Sequence, residues 1–228
     1  MASNSKNQPP QQRDCIRCGA CCEAGGAALH RADLPLVQSG KIPLRRLMTI
    51  RKGEPVMHPL ADTVQPASVE LVKLIGVGSS WTCSYFHEKK GCTIYVDRPL
   101  ACRLLRCWDP AELVAIIGKD TLCRLDLLAP EDPLVAEIKA HEGLCPATSL
   151  MELSAGRSPD ACLREKMTAL VQKDLQFRQQ VVARYRLQLQ QELLYFGRPL
   201  FQILQQFGVT VQERGNTLRL DWRGWRRQ

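Results

Sequence analysis

The chain has 228 residues, 45% of them hydrophobic and 24% charged, with 31 Lys and Arg against 23 Asp and Glu for a formal net charge of +8 with His neutral. These figures exclude a wholly disordered chain, and no stretch approaches the roughly 18–20 uninterrupted apolar residues of a membrane helix. Eleven cysteines in 228 residues, about 5%, fall below the density of small disulfide scaffolds. The cysteine count is odd and the start is polar, with no apolar export segment. We therefore expect reduced thiols in a cytoplasmic setting, where clustered cysteines bind metal more often than they pair.

Taken in chain order, residues 1–12 are rich in Gln, Pro and Asn and are expected to form a disordered tail. Residues 15–26, CIRCGACCEAGG, read as a Gly-rich irregular loop. Asp33 is expected to cap a short helix over 34–39 that Gly40 ends. Gly53, Pro55, Pro59 and Pro66 make 50–68 an extended, loop-like passage. Residues 69–75 fit a strand, though the pattern is ambiguous. Residues 81–86 and 92–96 suit two short strands joined as a hairpin by 87–91. Arg98-Pro99 then opens a helix, because proline is favoured in the first helical turn.

The second half reads as helical. Asp109-Pro110-Ala111-Glu112 combines a cap, a proline and an acid, and Gly118 stops the helix that follows. Asp132-Pro133 starts another, with Gly143 as its stop, and Ser158-Pro159-Asp160 starts a third. No Gly or Pro occurs from 160 to 196, and Leu163, Met167, Leu170, Phe177, Val181, Tyr185 and Leu189 recur along one face. One long helix over about 159–196 is therefore expected, its stripe serving packing, with Gly197 and Pro199 ending it. Residues 209–213 and 217–222 flank Arg214-Gly215-Asn216 as a closing hairpin, about 209–222.

Eight of the cysteines fall into two groups: Cys15, Cys18, Cys21 and Cys22, then Cys83, Cys92, Cys102 and Cys107. Two thiolates separated by two residues wrap one ion without moving the backbone far, and Gly19 supplies the permissive dihedrals of the knuckle. With Cys21 the run matches the C-x2-C-x2-C spacing that holds iron–sulfur clusters in ferredoxins. Side chains of neighbouring residues diverge, so Cys21 and Cys22 are awkward partners for one ion. In a hairpin, Cys83 and Cys92 come together at the strand ends. Cys102 and Cys107 lie about 140° apart on a regular helix, so both serve one site only if the helix ends between them. Arg13, Arg17, Arg98, Arg103 and Arg106 flank the thiols, and guanidinium groups offset the negative charge of a four-thiolate site.

C-x2-C-G-x-C-C followed by C-x8-C-T-I-Y-V-D-R-P-L-A-C-R resembles the YkgJ-type cysteine-cluster family, also described as a zinc- or iron-chelating domain. The resemblance covers about residues 15–107. It implies metal chelation through Cys15, Cys18, Cys21, Cys22, Cys83, Cys92 and Cys102, with Cys107 the less secure ligand. Ile94, Tyr95, Arg98 and Pro99 match its I-Y-x-x-R-P signature and are expected to set the corner that delivers Cys92 and Cys102. Flagellin lysine methylases share a similar cluster, which keeps a metal-dependent enzyme as an alternative.

Outside the clusters, Cys123, Cys145 and Cys162 read as buried structural thiols. His30 and His87 lie near cysteines in sequence but read first as packed or surface residues, and His58 and His141 are scattered. The spacing departs from the x3-then-x2 pattern of radical-SAM enzymes, and no phosphate loop, dinucleotide fingerprint, G-x-S-x-G or H-E-x-x-H occurs. The basic, aromatic 222–227 segment is expected to pack its tryptophans, which disfavours nucleic acid as a partner. The expected fold is α+β: a loop-heavy metal-binding region over 13–110 and a helical region over 111–228, packed as one unit. The expected cofactor is an iron–sulfur cluster or zinc, with iron–sulfur slightly favoured. A redox or electron-transfer role with an unidentified protein partner, and no membrane, completes the expectation. A structural zinc module for protein or nucleic-acid interaction is the competing reading.

Overall fold

The computed structural model describes residues 14–57, 63–78, 80–150, 159–214 and 217–226. The expected tail, Arg13, His58, Pro59, Ser158 and the turn residues Gly215 and Asn216 lie outside them. The first half opens with one helical turn, α1 (Ala20–Glu23), and a short helix, α2 (Leu34–Gln38). Eight short strands follow: β1 (Leu47–Ile50), β2 (Pro55–Met57), β3 (Val64–Pro66), β4 (Leu71–Leu74), β5 (Gly76–Val77), β6 (Thr82–Cys83), β7 (Phe86–His87) and β8 (Gly91–Cys92). Helices α3 (Leu100–Leu104), α4 (Ala111–Ile116), α5 (Pro133–Leu144), α6 (Ala161–Tyr185), α7 (Leu189–Phe196) and α8 (Leu200–Gln206) then lead to the terminal hairpin, β9 (Thr210–Arg214) with β10 (Thr217–Asp221). The fold is thus α+β, with the cysteine-rich, strand-bearing part first and the helices second.

Among the described residues the strands form two-stranded antiparallel ladders: β1–β4, β2–β3, β5–β6, β7–β8 and β9–β10. The β1 sequence LMTI is buried at every position, because β4 pairs with its edge and α7 covers it. Thr49 turns its hydroxyl to the Leu194 carbonyl, so even the one polar side chain of β1 is satisfied. The main core joins the two halves: Leu29, Leu47, Val72 and Leu74 pack with Ile138, Val181, Leu194 and Phe196. Burying each such side chain contributes about 1.5–3 kcal/mol. A second core lies between α6, α8 and the terminal hairpin and includes Met167, Leu200, Phe207 and Trp222.

Several expectations change in the folded chain. The helix expected over 159–196 is two. It starts at Ala161, capped by Asp160, and breaks at Arg186, which takes a left-handed conformation (φ 53°). Gln188 then opens α7 with its own capping box. The break lets α7 fold back over β1, burying Leu193, Leu194, Tyr195 and Phe196 in succession, while Leu189 falls off the stripe at 61% exposure. Residues 55–57 and 64–66, expected as loop, pair as β2–β3. Gly143 does not stop α5, which runs on to Leu144 and ends before Pro146. Helix α8 follows Pro199 directly, with Pro199 as its N-cap.

The 81–86 strand is also two pieces. Cys83 pairs with Gly76 in β5–β6, whereas Cys92 sits opposite Phe86 in β7–β8. Ser84 and Tyr85 turn the chain between them, because Ser84 N–H donates to Ile75 and the Tyr85 carbonyl accepts from Thr93. A β-carbon at Gly76 would lie 2.3 Å from the Trp81 carbonyl oxygen, so only glycine allows this close crossing. Residues 93–96 are turns rather than strand.

Candidate metal centre

The first cysteine run is held by contacts outside itself. Gly19 has φ +90° and its carbonyl accepts from Cys22 and Glu23, which closes the single turn α1. A β-carbon there would lie 2.3 Å from the Phe86 ring. The knuckle glycine therefore serves its expected dihedral role and also lets the loop dock on β7–β8. The Arg17 and Arg98 guanidinium groups both lie over the Tyr95 ring, at 4.0 and 3.9 Å. Tyr95 thus ties the loop to the corner that precedes α3.

Helix α3, which carries Cys102, is positioned by Asp33. The Asp33 carboxylate is fully buried; it accepts Leu100 N–H at 2.7 Å and His30 N–H at 3.0 Å. It makes no side-chain cap to α2, contrary to the sequence expectation. Asp33 itself has near-helical dihedrals there, which turns its carboxylate toward α3 instead. Helix α3 ends after Leu104, with Leu105 extended, so Cys107 lies on the turn closed by the Arg106–Asp109 bridge. The helix does end between Cys102 and Cys107, as their shared use of a site requires.

Seven thiols line one cavity of about 220 Å³: Cys15, Cys18, Cys21, Cys22, Cys92, Cys102 and Cys107. Cys83 lines an adjoining cavity of about 500 Å³ together with Cys21, Cys22 and Cys102. All eight thiols expected from the sequence therefore line one or both of these cavities, although no three of their sulfurs lie within 4.8 Å of one another, whereas Cys123, Cys145 and Cys162 line neither cavity. Cys15, Cys18, Cys21 and Cys107 are exposed; Cys22, Cys92 and Cys102 are half-buried and Cys83 is buried. Arg17, Arg98, Arg103 and Arg106 line the thiol cavity, so the four described arginines of the expected set surround it.

The thiols divide in their electrostatic surroundings. Burial pushes the Cys21 thiol up; its hydrogen bond with Cys22 opposes this, and Cys107, Cys15 and Cys18 push it further up. Burial raises Cys22 to about 12, helped by Cys21, Cys83 and Cys92. Cys102 is also pushed up to about 12, by burial first and then by Cys83, Cys21 and Cys92. Burial raises Cys83 as well, with Cys92 and Cys21 contributing in the same direction. Adjacent residues of one helical turn point about 100° apart. Cys21 feels Cys107, Cys15 and Cys18 and also acts on Cys83 and Cys102, whereas Cys22 feels Cys83 and Cys92, and the two thiols hydrogen-bond to each other.

A different set was missed in the sequence. His141, Cys145 and Asp174 are fully buried, and their ligand-type atoms all lie within 4.8 Å of one another. Both Asp174 oxygens are used: one accepts from His141 Nε2 at 2.6 Å and Arg178 Nε at 2.9 Å, the other from Leu200 N–H at 2.8 Å. Burial lowers the His141 pKa to about 4, against the hydrogen bond to Asp174, so this imidazole is neutral at pH 7. Arg51 and Arg178 add two buried positive charges beside it. A cation would have to displace Arg178 from its carboxylate, so this is a polar network that joins α5, α6 and α8. The i, i+4 spacing of His141 and Cys145 is its only trace in the sequence.

The remaining candidates are placed plainly. His30 is buried and its Nδ1 bonds the Lys119 carbonyl, and His87 Nδ1 accepts from Lys89 N–H. Cys145 is buried, Cys123 half-buried and Cys162 exposed in the first turn of α6, which corrects the expectation for Cys162. Trp222 is buried, and Trp225 stacks on Phe207 with centroids 5.5 Å apart, as the packing reading expects.

An α+β chain whose first half gathers eight thiols around joined cavities has the donor set of a metal-chelating cysteine-cluster protein. Residues 14–124, just under half of the chain, match the family CxxCxxCC, described as a "putative zinc- or iron-chelating domain". The match spans all eight clustered cysteines and bears out the resemblance carried by their motifs. No curated protein and no solved structure matches the chain. Among the described residues, no helix is long and apolar enough to cross a membrane.

Proposed function

We propose that the protein chelates metal through two four-thiol sets. The first comprises Cys15, Cys18, Cys21 and Cys107; the second comprises Cys22, Cys83, Cys92 and Cys102. The observation that supports this reading is that the adjacent thiols of Cys21 and Cys22, though hydrogen-bonded to each other, differ in their other main thiol neighbours: Cys107, Cys15 and Cys18 for Cys21, and Cys83 and Cys92 for Cys22. The donor set suits the group: soft thiolates select zinc or iron–sulfur centres over hard cations. Iron–sulfur is favoured for the first set, from its C-x2-C-x2-C run and its exposed position. An exposed cluster edged by arginines suits electron exchange with an acidic protein partner.

A structural zinc centre is the second reading, and the burial of Cys83 favours it for the second set. Four closed thiolates would tie α1, the β6 and β8 strands and α3 together and leave no open position for chemistry. The nucleic-acid version of that reading loses support from Trp222 and Trp225, whose rings pack against the protein.

The test is metal and acid-labile sulfide content with a visible spectrum, on protein purified without oxygen or chelator. Iron with sulfide and broad visible absorption supports the redox reading. Zinc without colour supports the structural one. Neither metal, after reconstitution has also failed, removes both.

A further inference from the structure

The cavity of about 500 Å³ beside Cys22 and Cys102 has no Asp, Glu, Lys or Arg on its wall among the described residues. A neighbouring cavity of about 790 Å³ shares Gly25, Ala28, Val56, Met57 and Leu71 with it, so the two adjoin along these residues. The charged side chains on the second wall are Lys73 and Arg198, both cations. Arg198 is already neutralised: its Nε donates to Glu54 and its Nη2 to the Pro55 carbonyl. No hydrogen bond or ion pair of the Lys73 side chain is found among the described residues; burial followed by the Arg198 charge lowers its pKa, and the weaker influences of Cys83 and Glu54 oppose this. Gly25 lies beside the ammonium, the position of a β-carbon there being 3.6 Å from Lys73 Nζ.

Among the described residues the two walls are mostly apolar, with one side-chain ammonium lacking a hydrogen-bond partner and no carboxylate, which is complementary to a single negative charge on a hydrocarbon body. Each cavity falls within the range of roughly 300–1,000 Å³ common for small-molecule sites. A carboxylate would pair with Lys73 by charge-assisted hydrogen bonds, which are stronger than neutral ones. A hydrocarbon chain would cover side chains that are now half-exposed, among them Val56 and Leu71.

We propose that these two adjoining cavities together bind an amphipathic monocarboxylate, with its carboxylate on Lys73 and its chain over Val56 and Leu71 toward Cys22 and Cys102. The site goes beyond metal chelation and requires neither zinc nor iron.

The test is calorimetric titration of the full chain, as purified, with octanoate, decanoate and dodecanoate below their micelle concentrations. Saturable 1:1 binding is expected, tightening roughly fourfold per added methylene. Lys73→Met should weaken dodecanoate at least tenfold, Lys73→Arg should retain it, and Val56→Trp should block it by filling the passage. Dodecyltrimethylammonium, of the same chain length and opposite charge, should bind the unmodified protein far more weakly. No saturable binding, equal binding of the cationic amphiphile, or no effect of Lys73→Met would each overturn the proposal. If Lys73→Met does not fold, the two amphiphiles on the unmodified protein decide. Metal content measured on the same samples separates failure here from failure of the chelation reading.

Discussion

The buried carboxylate of Asp33 accepts the backbone N–H of Leu100 at 2.7 Å, across 67 residues of chain. One side chain from the start of α2 thereby sets the first turn of the helix that presents Cys102, and its second oxygen holds His30 N–H. Asp33→Ala should cost about 1–2 kcal/mol of stability through the lost cap. It should also weaken metal held by Cys102 more than metal held by Cys15 and Cys18. Urea unfolding with chelator competition reads both effects, and unchanged metal retention would remove the positioning role.

The division of the thiols is open to direct count. Cys18→Ser and Cys83→Ser should each lose about half of the bound metal, and the double variant nearly all, as expected for independent four-ligand sites. Cys123→Ser and Cys162→Ser should retain the full amount. Complete loss in either single cluster variant would mean one shared centre.

Gly19 meets two demands, a φ of +90° and contact with the Phe86 ring. Gly19→Ala should destabilise by more than about 1 kcal/mol and release metal from the first set. Pairing it with Phe86→Ala should recover only part of the loss, since the overlap is relieved and the backbone strain is not. Thermal unfolding of the three variants, with metal content, provides the check.

Cys22 and Cys102, each raised to about 12, hold their protons at neutral pH in the metal-free chain. A metal must displace those protons, so affinity should rise about tenfold per pH unit for each proton released. Calorimetry in buffers of different ionisation enthalpy counts them. Zero proton release would contradict thiolate ligation by these two residues.

His141 carries a separate pH dependence. Its folded pKa is about 4 against a usual 6.5, so between these values the unfolded chain binds a proton that the folded chain refuses. Stability should therefore fall as pH drops from about 6.5 toward 4, by on the order of 3 kcal/mol. His141→Gln should flatten that window. Asp174 is held below the ordinary carboxylate range; burial opposes this, while its bond to His141 and the Arg178 charge outweigh it. It contributes a further loss as pH falls below about 3.8. Asp174→Asn, which leaves Arg178 buried without its carboxylate, should cost about 3–5 kcal/mol at pH 7. Urea unfolding across pH measures all three.

The metal-chelating character of the first half was legible in the sequence because it rests on local chemistry. Thiol spacing, Gly19 and the Arg98-Pro99 corner act within a few residues, as do the caps Asp109, Asp132 and Asp160. Tertiary structure decided which distant atoms meet. Arg186 breaks the long helix without a Gly or Pro to mark it, because burying α7 on β1 outweighs one more turn of helix. Asp33 caps α3 and not α2, and His141 finds Asp174, through packing that brings separate elements together. Local hydrogen-bonding and steric preferences are written residue by residue, whereas burial is shared by the whole core, and no window of sequence contains the partners it selects.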